Sequence, residues 1–191
     1  MSLREKDYGA LVEANRFLGR EYLLWLWFES ELFETELRTA SGKTCSLWVE
    51  TQITLAADQE EARVKSGMPA ATPEAKQALR QGKLPKQARL HAIIDDHEFT
   101  WAMKADDLAV GALKVPAELK SKEDRYEALY ERMRLTEELE GVLEALFDDF
   151  VAMRLAPTWS SKVVPILQAW AHGERIDEKA YRALKVRPKK R

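Results

Sequence analysis

The sequence has few of the residues on which several classes of protein depend. Its single cysteine, Cys45, rules out an intramolecular disulfide and favours a reducing compartment such as the cytoplasm. The 8 glycines occur singly, so no glycine-rich loop could cradle a phosphate. GxSxG, HExxH and CxxC motifs are also missing. Enzymatic activity is therefore not predicted, and no cofactor is expected.

A membrane span, a signal peptide and a strong net charge are also lacking. The apolar run Tyr22–Phe28 is 7 residues long, whereas a spanning helix needs about 20. Residues 1–16 mix acidic and basic side chains with little apolar character, which is unlike a signal peptide. The net charge is −2, from 30 basic and 32 acidic residues, so nucleic-acid binding would need cations sorted onto one face. These features predict a soluble cytoplasmic protein.

The apolar run lies in the second half of a predicted helix. Apolar residues at helical spacing predict this helix from about Tyr8 to Leu32. In the second half they cover every side, which is typical of a helix enclosed by other elements. A partner interface anchored by Trp25 and Trp27 is the alternative interpretation.

Alternating residues predict a first hairpin after this helix. Apolar and polar side chains alternate over residues 44–55, as in a half-buried strand, and a shorter alternation occupies residues 33–37. The stretch Ala40–Lys43 supplies the turn between them. Trp48 falls on the more polar face of the longer strand. We therefore expect either that another element covers this face or that Trp48 contacts a partner.

Further elements are predicted in the middle of the chain. A short strand is expected at Ala62–Lys65, followed by a helix with Thr72 as N-cap, Pro73 at its first position and Gly82 at its end. A second hairpin is expected over residues 90–103, with Asp95, Asp96, His97 and Glu98 forming its turn.

The last third of the chain is predicted to be helical. A long helix of about 32 residues, roughly 48 Å in length, is expected between Ser121, its predicted N-cap, and about Leu155, with one apolar face from Tyr126 to Met153. A shorter helix ending at Gly173 and a final turn or two after Asp177 follow. The order of elements predicts an α+β fold, in which an antiparallel sheet of two or more hairpins packs with a buried N-terminal helix and a long C-terminal helix. Residues 1–176 form one predicted domain, and residues 177–191 a short helical turn and basic tail.

The acidic turn of the second hairpin is the best candidate for chemistry. Asp95, Asp96, His97 and Glu98 offer oxygen and imidazole ligands that suit a divalent cation or an acid/base site. The alternative is an ordinary polar turn, in which Asp is favoured. His91 and His172 stand alone, so no second ligand cluster supports a metal, and we favour the turn. Cys45, on an apolar strand face, is expected to behave as a small hydrophobe.

Basic residues are concentrated near the C-terminus. Six cations and no acid occur between positions 182 and 191: Arg182, Lys185, Arg187, Lys189, Lys190 and Arg191. A solubilising tail is one interpretation, and a phosphate-binding arm is the other. Three more cations near the second hairpin could extend such a surface: Lys83, Lys86 and Arg89. Each phosphate contact would contribute about −0.9 to the log–log salt slope of binding.

Four stretches of the chain resemble the recombination-associated protein RdgC family. They are "FLGREYLLWLWFESE", "TPEAKQALRQGK", "HAIIDDHEFTWAMKADDL" and "RLAPTWSSKVVPILQAWAHGE", and together they span Phe17 to Glu174. The first is distinctive, and the others carry weight through their order. The resemblance begins almost at the start of this chain, whereas familiar members carry a substantial region before it. A closed ring around DNA is therefore not expected here.

The resemblance implies a non-catalytic, dimeric protein that binds duplex DNA with little sequence preference. Such proteins act in recombination and replication by limiting the access of the recombinase to DNA. On this resemblance we expect the chain at the nucleoid, as a homodimer on double-stranded DNA. No DNA-contact residue of the family maps onto a position here, so the nine cations named above come from charge alone. The alternative function is a protein-interaction or regulatory module that uses the long helix and exposed Trp residues. A metal-dependent enzyme using Asp95, Asp96 and His97 is a distant third.

Overall fold

A computed structural model describes residues 15–33, 36–57, 60–65, 72–118 and 125–185. Within these ranges the protein has five helices and one antiparallel sheet of six strands, which confirms the predicted α+β class. The helices are α1 (Arg16–Leu32), α2 (Pro73–Arg80), α3 (Arg125–Arg154), α4 (Val164–Ala171) and α5 (Glu178–Arg182). The strands are β1 (Leu37–Arg38), β2 (Thr44–Ala57), β3 (Glu60–Lys65), β4 (Leu84–Ile94), β5 (His97–Lys104) and β6 (Val110–Lys114).

The sheet is organised around the long strand β2. The strand order is β1-β2-β4-β5-β6, and β3 pairs with the second half of β2. The register between β2 and β4 shifts between Val49 and Ile53, where Thr51 adopts a φ of 55°. Such a bulge adds local twist to the strand. Because β3 and β4 flank the same part of β2, their side chains come within reach of one another.

Helix α1 lies at the centre of the core, as its apolar composition predicts. Leu26, Trp27 and Phe28 are fully buried, and α1 contacts both β2 and β4. The run Tyr22–Phe28 therefore fills the space between the sheet and the other helices. The first part of the predicted helix, residues 8–14, lies outside the described residues.

The two predicted hairpins and the capped helix between them are present. The Thr72 hydroxyl accepts a hydrogen bond from the Ala75 N–H at 3.3 Å, and Gly82 follows α2 with a φ of 81°. The turn of the second hairpin is shorter than predicted, since it comprises Asp95 and Asp96 alone and β5 begins at His97. Both aspartates have positive φ, as the tight two-residue turns of hairpins require.

Strand β6 is absent from the sequence-based prediction. Val110, Gly111, Ala112 and Lys114 are all exposed, so this strand lacks the alternation by which strands are recognised. It joins the sheet through backbone pairing with β5. An edge strand without an apolar face cannot be found from periodicity.

Helix α3 has 30 residues and is about 45 Å long. Its predicted N-cap, Ser121, lies outside the described residues. A π-helical turn, Trp159–Val163, precedes α4, and Gly173 follows with a φ of 82°. Tyr181 of α5 is fully buried, so the segment predicted as a separate turn packs on the same core. Of the helices in the described ranges, none has both the length and the apolar character needed to cross a membrane.

Candidate interaction surface

The three predicted DNA-contact residues near the second hairpin each face a carboxylate. Lys83 Nζ lies 3.1 Å from Glu60 Oε2, and Lys86 Nζ lies 2.5 Å from Glu61 Oε1. Arg89 Nε lies 3.9 Å from Glu50 Oε2. The hydrogen bond from Lys86 lowers the pKa of Glu61, which keeps that carboxylate charged. These pairs reduce the positive potential that the hairpin presents.

The two predicted contacts on and beside α5 are also paired. Arg182 Nη2 lies 2.7 Å from Glu178 Oε1 on the surface, and its guanidinium stacks over Phe33. Lys185 forms an ion pair with Glu29, whose side chain is fully buried. The remaining four predicted contacts, Arg187, Lys189, Lys190 and Arg191, lie outside the described residues.

Glu29 is the centre of a buried polar network that anchors the C-terminal segment. Tyr181 donates its hydroxyl hydrogen to Glu29 Oε1 at 2.6 Å and accepts a hydrogen bond from Trp25 Nε1 at 2.9 Å. Lys185 Nζ donates to Glu29 Oε2. Desolvation raises the pKa of Glu29 even though Lys185 opposes this shift. Lys185 therefore compensates a buried charge and is not available to bind a phosphate group.

A second polar cluster joins α1, α2 and α4 around Glu31. Its carboxylate accepts hydrogen bonds from Trp27 Nε1 at 2.6 Å, Trp170 Nε1 at 2.7 Å and Lys76 Nζ at 2.7 Å. The Lys76 ammonium lies 3.1 Å from the centroid of the Trp170 ring, in a cation–π contact. Desolvation lowers the pKa of Lys76 to about 8. This cluster was not predicted, because its members lie far apart in the sequence.

The candidate metal ligands do not form a metal-binding group among the described residues. No group of three or more His, Cys, Asp or Glu side chains in these ranges could hold a metal ion. His97 of the acidic turn instead places its Nδ1 3.1 Å from Glu138 Oε1 of α3. Cys45 is buried, and burial raises the pKa of its thiol to about 12, which disfavours a nucleophilic thiolate.

The tryptophans do not provide the exposed surface that the alternative function expects. Five of the six are buried: Trp25, Trp27, Trp101, Trp159 and Trp170. Trp48 is half-buried on the outer face of the sheet, where it stacks on His91 with ring centroids 4.0 Å apart. The interaction surface, if it includes α3, must therefore consist of other residues.

Helix α3 presents exposed apolar side chains in its first three turns. Tyr126 is 76% exposed, Leu129 55%, Tyr130 70% and Met133 49%. These four residues, which we call the α3 stripe, have the spacing i, i+3, i+4, i+7 and so share one face. They account for four of the eight large hydrophobic side chains that are exposed in the described part of the chain.

The core-facing side of α3 lies opposite the stripe. Its buried residues include Leu135, Leu139, Val142 and Leu146, which are about half a helical turn away from the stripe. The prediction of one continuous apolar face from Tyr126 to Met153 is therefore wrong. The apolar residues of α3 form two faces, of which only one packs on the protein's own core.

Beyond the α3 stripe, the same face of α3 carries four acidic residues, which we call the acidic row. Glu137, Glu140, Glu144 and Asp148 follow Met133 at intervals of three or four residues, and all four are exposed. Glu144 and Asp148 also line a cavity of about 400 Å³, together with Ser41 and Asp149. One face of α3 is thus apolar at its start and acidic beyond.

Comparison with known proteins identifies no relative of this chain, since no family, no curated protein and no solved structure matches it.

Proposed function

We propose that the protein is a non-catalytic interaction module that binds another protein through the α3 stripe. The exposure of Tyr126, Leu129, Tyr130 and Met133 on the side of α3 that faces away from the core carries this proposal. Scattered single hydrophobic residues are normal on a protein surface, but a contiguous group on one element marks a binding surface.

The composition of the stripe supports the proposal. Tyrosine and methionine are enriched in protein interfaces, and buried aromatic residues commonly dominate binding energy. Moving a side chain such as Leu129 from water into an interface is favourable by about 1.5–3 kcal/mol. The same residues contribute little to folding, because Leu135 and Leu139 already fill the core side of the helix.

A sedimentation experiment tests the proposal. Fluorescently labelled full-length chain is compared, in an extract of the cells that make it, with the variant Leu129→Ser/Met133→Ser. We expect the unaltered chain to sediment faster in extract than when purified, and the variant to lose this increase. The control Phe17→Ser/Leu155→Ser removes two exposed hydrophobic residues elsewhere and should behave like the unaltered chain. The proposal is wrong if the stripe variant sediments like the unaltered chain in extract.

Sequence-tolerant binding of duplex DNA, in a nucleoid-associated role in recombination or replication, is the second candidate function. The resemblance to the RdgC family supports it, as do four cations near the C-terminus that have no acidic neighbour in the sequence: Arg187, Lys189, Lys190 and Arg191. The cations on the described part of the proposed surface argue in the other direction. Lys83, Lys86 and Arg89 share their charge with glutamates, so the four terminal cations would have to supply most of the attraction.

Gel retardation of duplex DNA at two ionic strengths tests this second candidate. Replacing the four terminal cations with Gln should weaken binding and lower the log–log salt slope by about 0.9 for each phosphate that the variant no longer neutralises. Replacing Lys83, Lys86 and Arg89 should have a smaller effect, because these cations are already paired. Lys185 must be kept in every variant, because replacing it would leave the buried carboxylate of Glu29 without a counter-ion and would destabilise the fold. An unaltered chain that fails to retard DNA at low salt would rule out this function.

A further inference from the structure

The acidic row beside the α3 stripe indicates what kind of partner the surface accepts. At steps of three or four residues, one face of the helix carries first Tyr126, Tyr130 and Met133 and then Glu137, Glu140 and Glu144. The apolar part extends about 10 Å along the axis, and the acidic part from Glu137 to Asp148 extends about 16 Å. A partner that covers both parts must itself be apolar at one end and cationic at the other.

We propose that the partner presents an amphipathic helix, apolar over two to three turns and rich in Lys or Arg over the next three. This inference rests on the proposed function, because it names the partner of the same surface. Opposite charges across the rim of an interface favour the matching partner and repel those that carry like charges.

Three acids of the row remain available to such a partner. Among the ion pairs and hydrogen bonds of the described residues, none engages Glu137, Glu140 or Glu144. Arg134 interacts with Glu138, which lies outside the row. Lys43 Nζ lies beside Gly141, so one cation approaches this part of α3 without forming an ion pair with these glutamates.

The way α3 is held determines the shape of the partner. Leu135, Leu139 and Val142 fix the opposite side of the helix on the core, and Arg154 Nε is bound to Glu21 Oε2 at 2.6 Å. Because the core covers the opposite side of α3, a partner can contact only the exposed face and cannot enclose the helix in a groove. A single helix lying along this face, at an interaxial distance of about 8–10 Å, can contact the stripe and the acidic row together.

A second copy of this chain fits the surface less well. If two copies paired their α3 helices in parallel, the acidic rows would lie side by side and repel. If they paired antiparallel with stripe on stripe, Glu140 and Glu144 would lie beyond Arg125, the first described residue of the partner helix, and so would not contact the described part of that helix. A partner with a basic half compensates these charges directly.

Two synthetic helical peptides test the inference. Both carry the same apolar residues over two turns, followed by four Lys residues in one peptide and four Glu residues in the other. Fluorescence anisotropy measures their binding to the full-length chain, to the stripe variant Leu129→Ser/Met133→Ser and to the row variant Glu137→Gln/Glu140→Gln/Glu144→Gln. The control variant Glu36→Gln/Glu74→Gln/Glu174→Gln removes three exposed acids that lie outside α3.

We expect the Lys peptide to bind the unaltered chain about tenfold more tightly than the Glu peptide, and this preference to weaken at high salt. The row variant should bind both peptides with nearly equal affinity, and the control variant should keep the preference. The stripe variant should lose binding of both peptides.

The possible failures separate the inference from the proposed function. The stated partner chemistry is wrong if binding requires the stripe but the row variant still prefers the Lys peptide. It is also wrong if neither peptide binds the unaltered chain. In both cases the sedimentation experiment decides whether the stripe is an interaction surface. If the stripe variant binds both peptides like the unaltered chain, the proposed function fails as well. Self-association of the purified chain that the stripe variant abolishes would also overturn the inference, since the occupant would then be a second copy.

Discussion

Glu29 shows how a single polar residue within an apolar helix can anchor a distant part of the chain. In the pattern of α1 it occupies a position where an apolar residue is expected, and it is fully buried. An isolated buried carboxylate is strongly unfavourable, so Lys185 and Tyr181 must remain beside it. The interaction explains why the segment around α5 packs on α1.

Replacing Lys185 with Met should destabilise the protein by about 3 kcal/mol, because the change leaves Glu29 buried without a counter-ion. Adding Glu29→Gln to this variant should recover part of the loss. Chemical denaturation measures both effects. The control Arg182→Met removes an exposed ion pair and should cost about 0.5 kcal/mol or less. Equal losses for Lys185→Met and Arg182→Met would contradict the buried network.

Lys76 should give the protein a pH dependence of stability in the alkaline range. Its pKa in the folded protein is about 8, against a usual value of 10.5, because desolvation by burial disfavours the charged form more than the neighbouring Glu31 favours it. Between these two pH values the unfolded chain binds a proton that the folded chain does not. The contribution of Lys76 to stability is therefore present above pH 10.5 and is lost as the pH falls through 8.

The free energy of unfolding, relative to that of Lys76→Met, should accordingly increase from pH 7.5 to 10, by up to about 3 kcal/mol. Urea denaturation at several pH values measures this difference. Lys104→Met, which removes an exposed lysine from β5, serves as the matched control for the loss of a lysine. A difference between the unaltered chain and Lys76→Met that is independent of pH would be evidence against a desolvated amine.

At the scale of elements, the turn between β4 and β5 places two aspartates at positions whose backbone conformation favours glycine. Asp95 and Asp96 have φ values of 45° and 68°. Aspartate tolerates this region better than most residues, but glycine adopts it without steric cost. The acidic character of the turn thus has a local structural explanation that does not involve a metal ion.

Asp96→Gly should therefore stabilise the hairpin, by about 0.5–1 kcal/mol, because it relieves the positive φ and matches the Asp-Gly preference of tight hairpin turns. Thermal denaturation would show this as a higher Tm. Asp107→Gly, at an exposed position in the next turn, is the control and should not raise Tm, since Asp107 accepts a hydrogen bond from the Ala109 N–H at 2.9 Å. A lower Tm for Asp96→Gly would mean that the aspartate side chain makes a contribution beyond the backbone.

The elements also show which patterns can be read from sequence. Helix α1, helix α2 and both hairpins follow from periodicity, capping residues and turn residues, since these are local properties. The spacing of residues in α3 places the α3 stripe on the side opposite Leu135 and Val142, but only tertiary packing decides which of the two apolar faces is covered. Strand β6 carries no alternation and is stabilised by its neighbour, so no local pattern reveals it.

At the scale of the whole molecule, the distribution of charge bears on the second candidate function, the binding of duplex DNA. The cations of the second hairpin were identifiable from sequence, but their partners were not. Glu60 and Glu61 lie more than twenty residues earlier and reach Lys83 and Lys86 only because β3 and β4 flank β2. Cations that share their charge with acids contribute little to a positive field.

Photo-crosslinking from the α3 stripe tests the central proposal most directly. A benzophenone amino acid is placed at position 130 of the full-length chain in living cells, and in a control at position 162, where Lys162 is exposed on the π-helical turn. The proposed function predicts that light produces a discrete protein adduct from position 130 and not from position 162, and that mass spectrometry identifies a single protein in it. If position 130 yields no adduct beyond that formed at position 162, the α3 stripe is not an interaction surface.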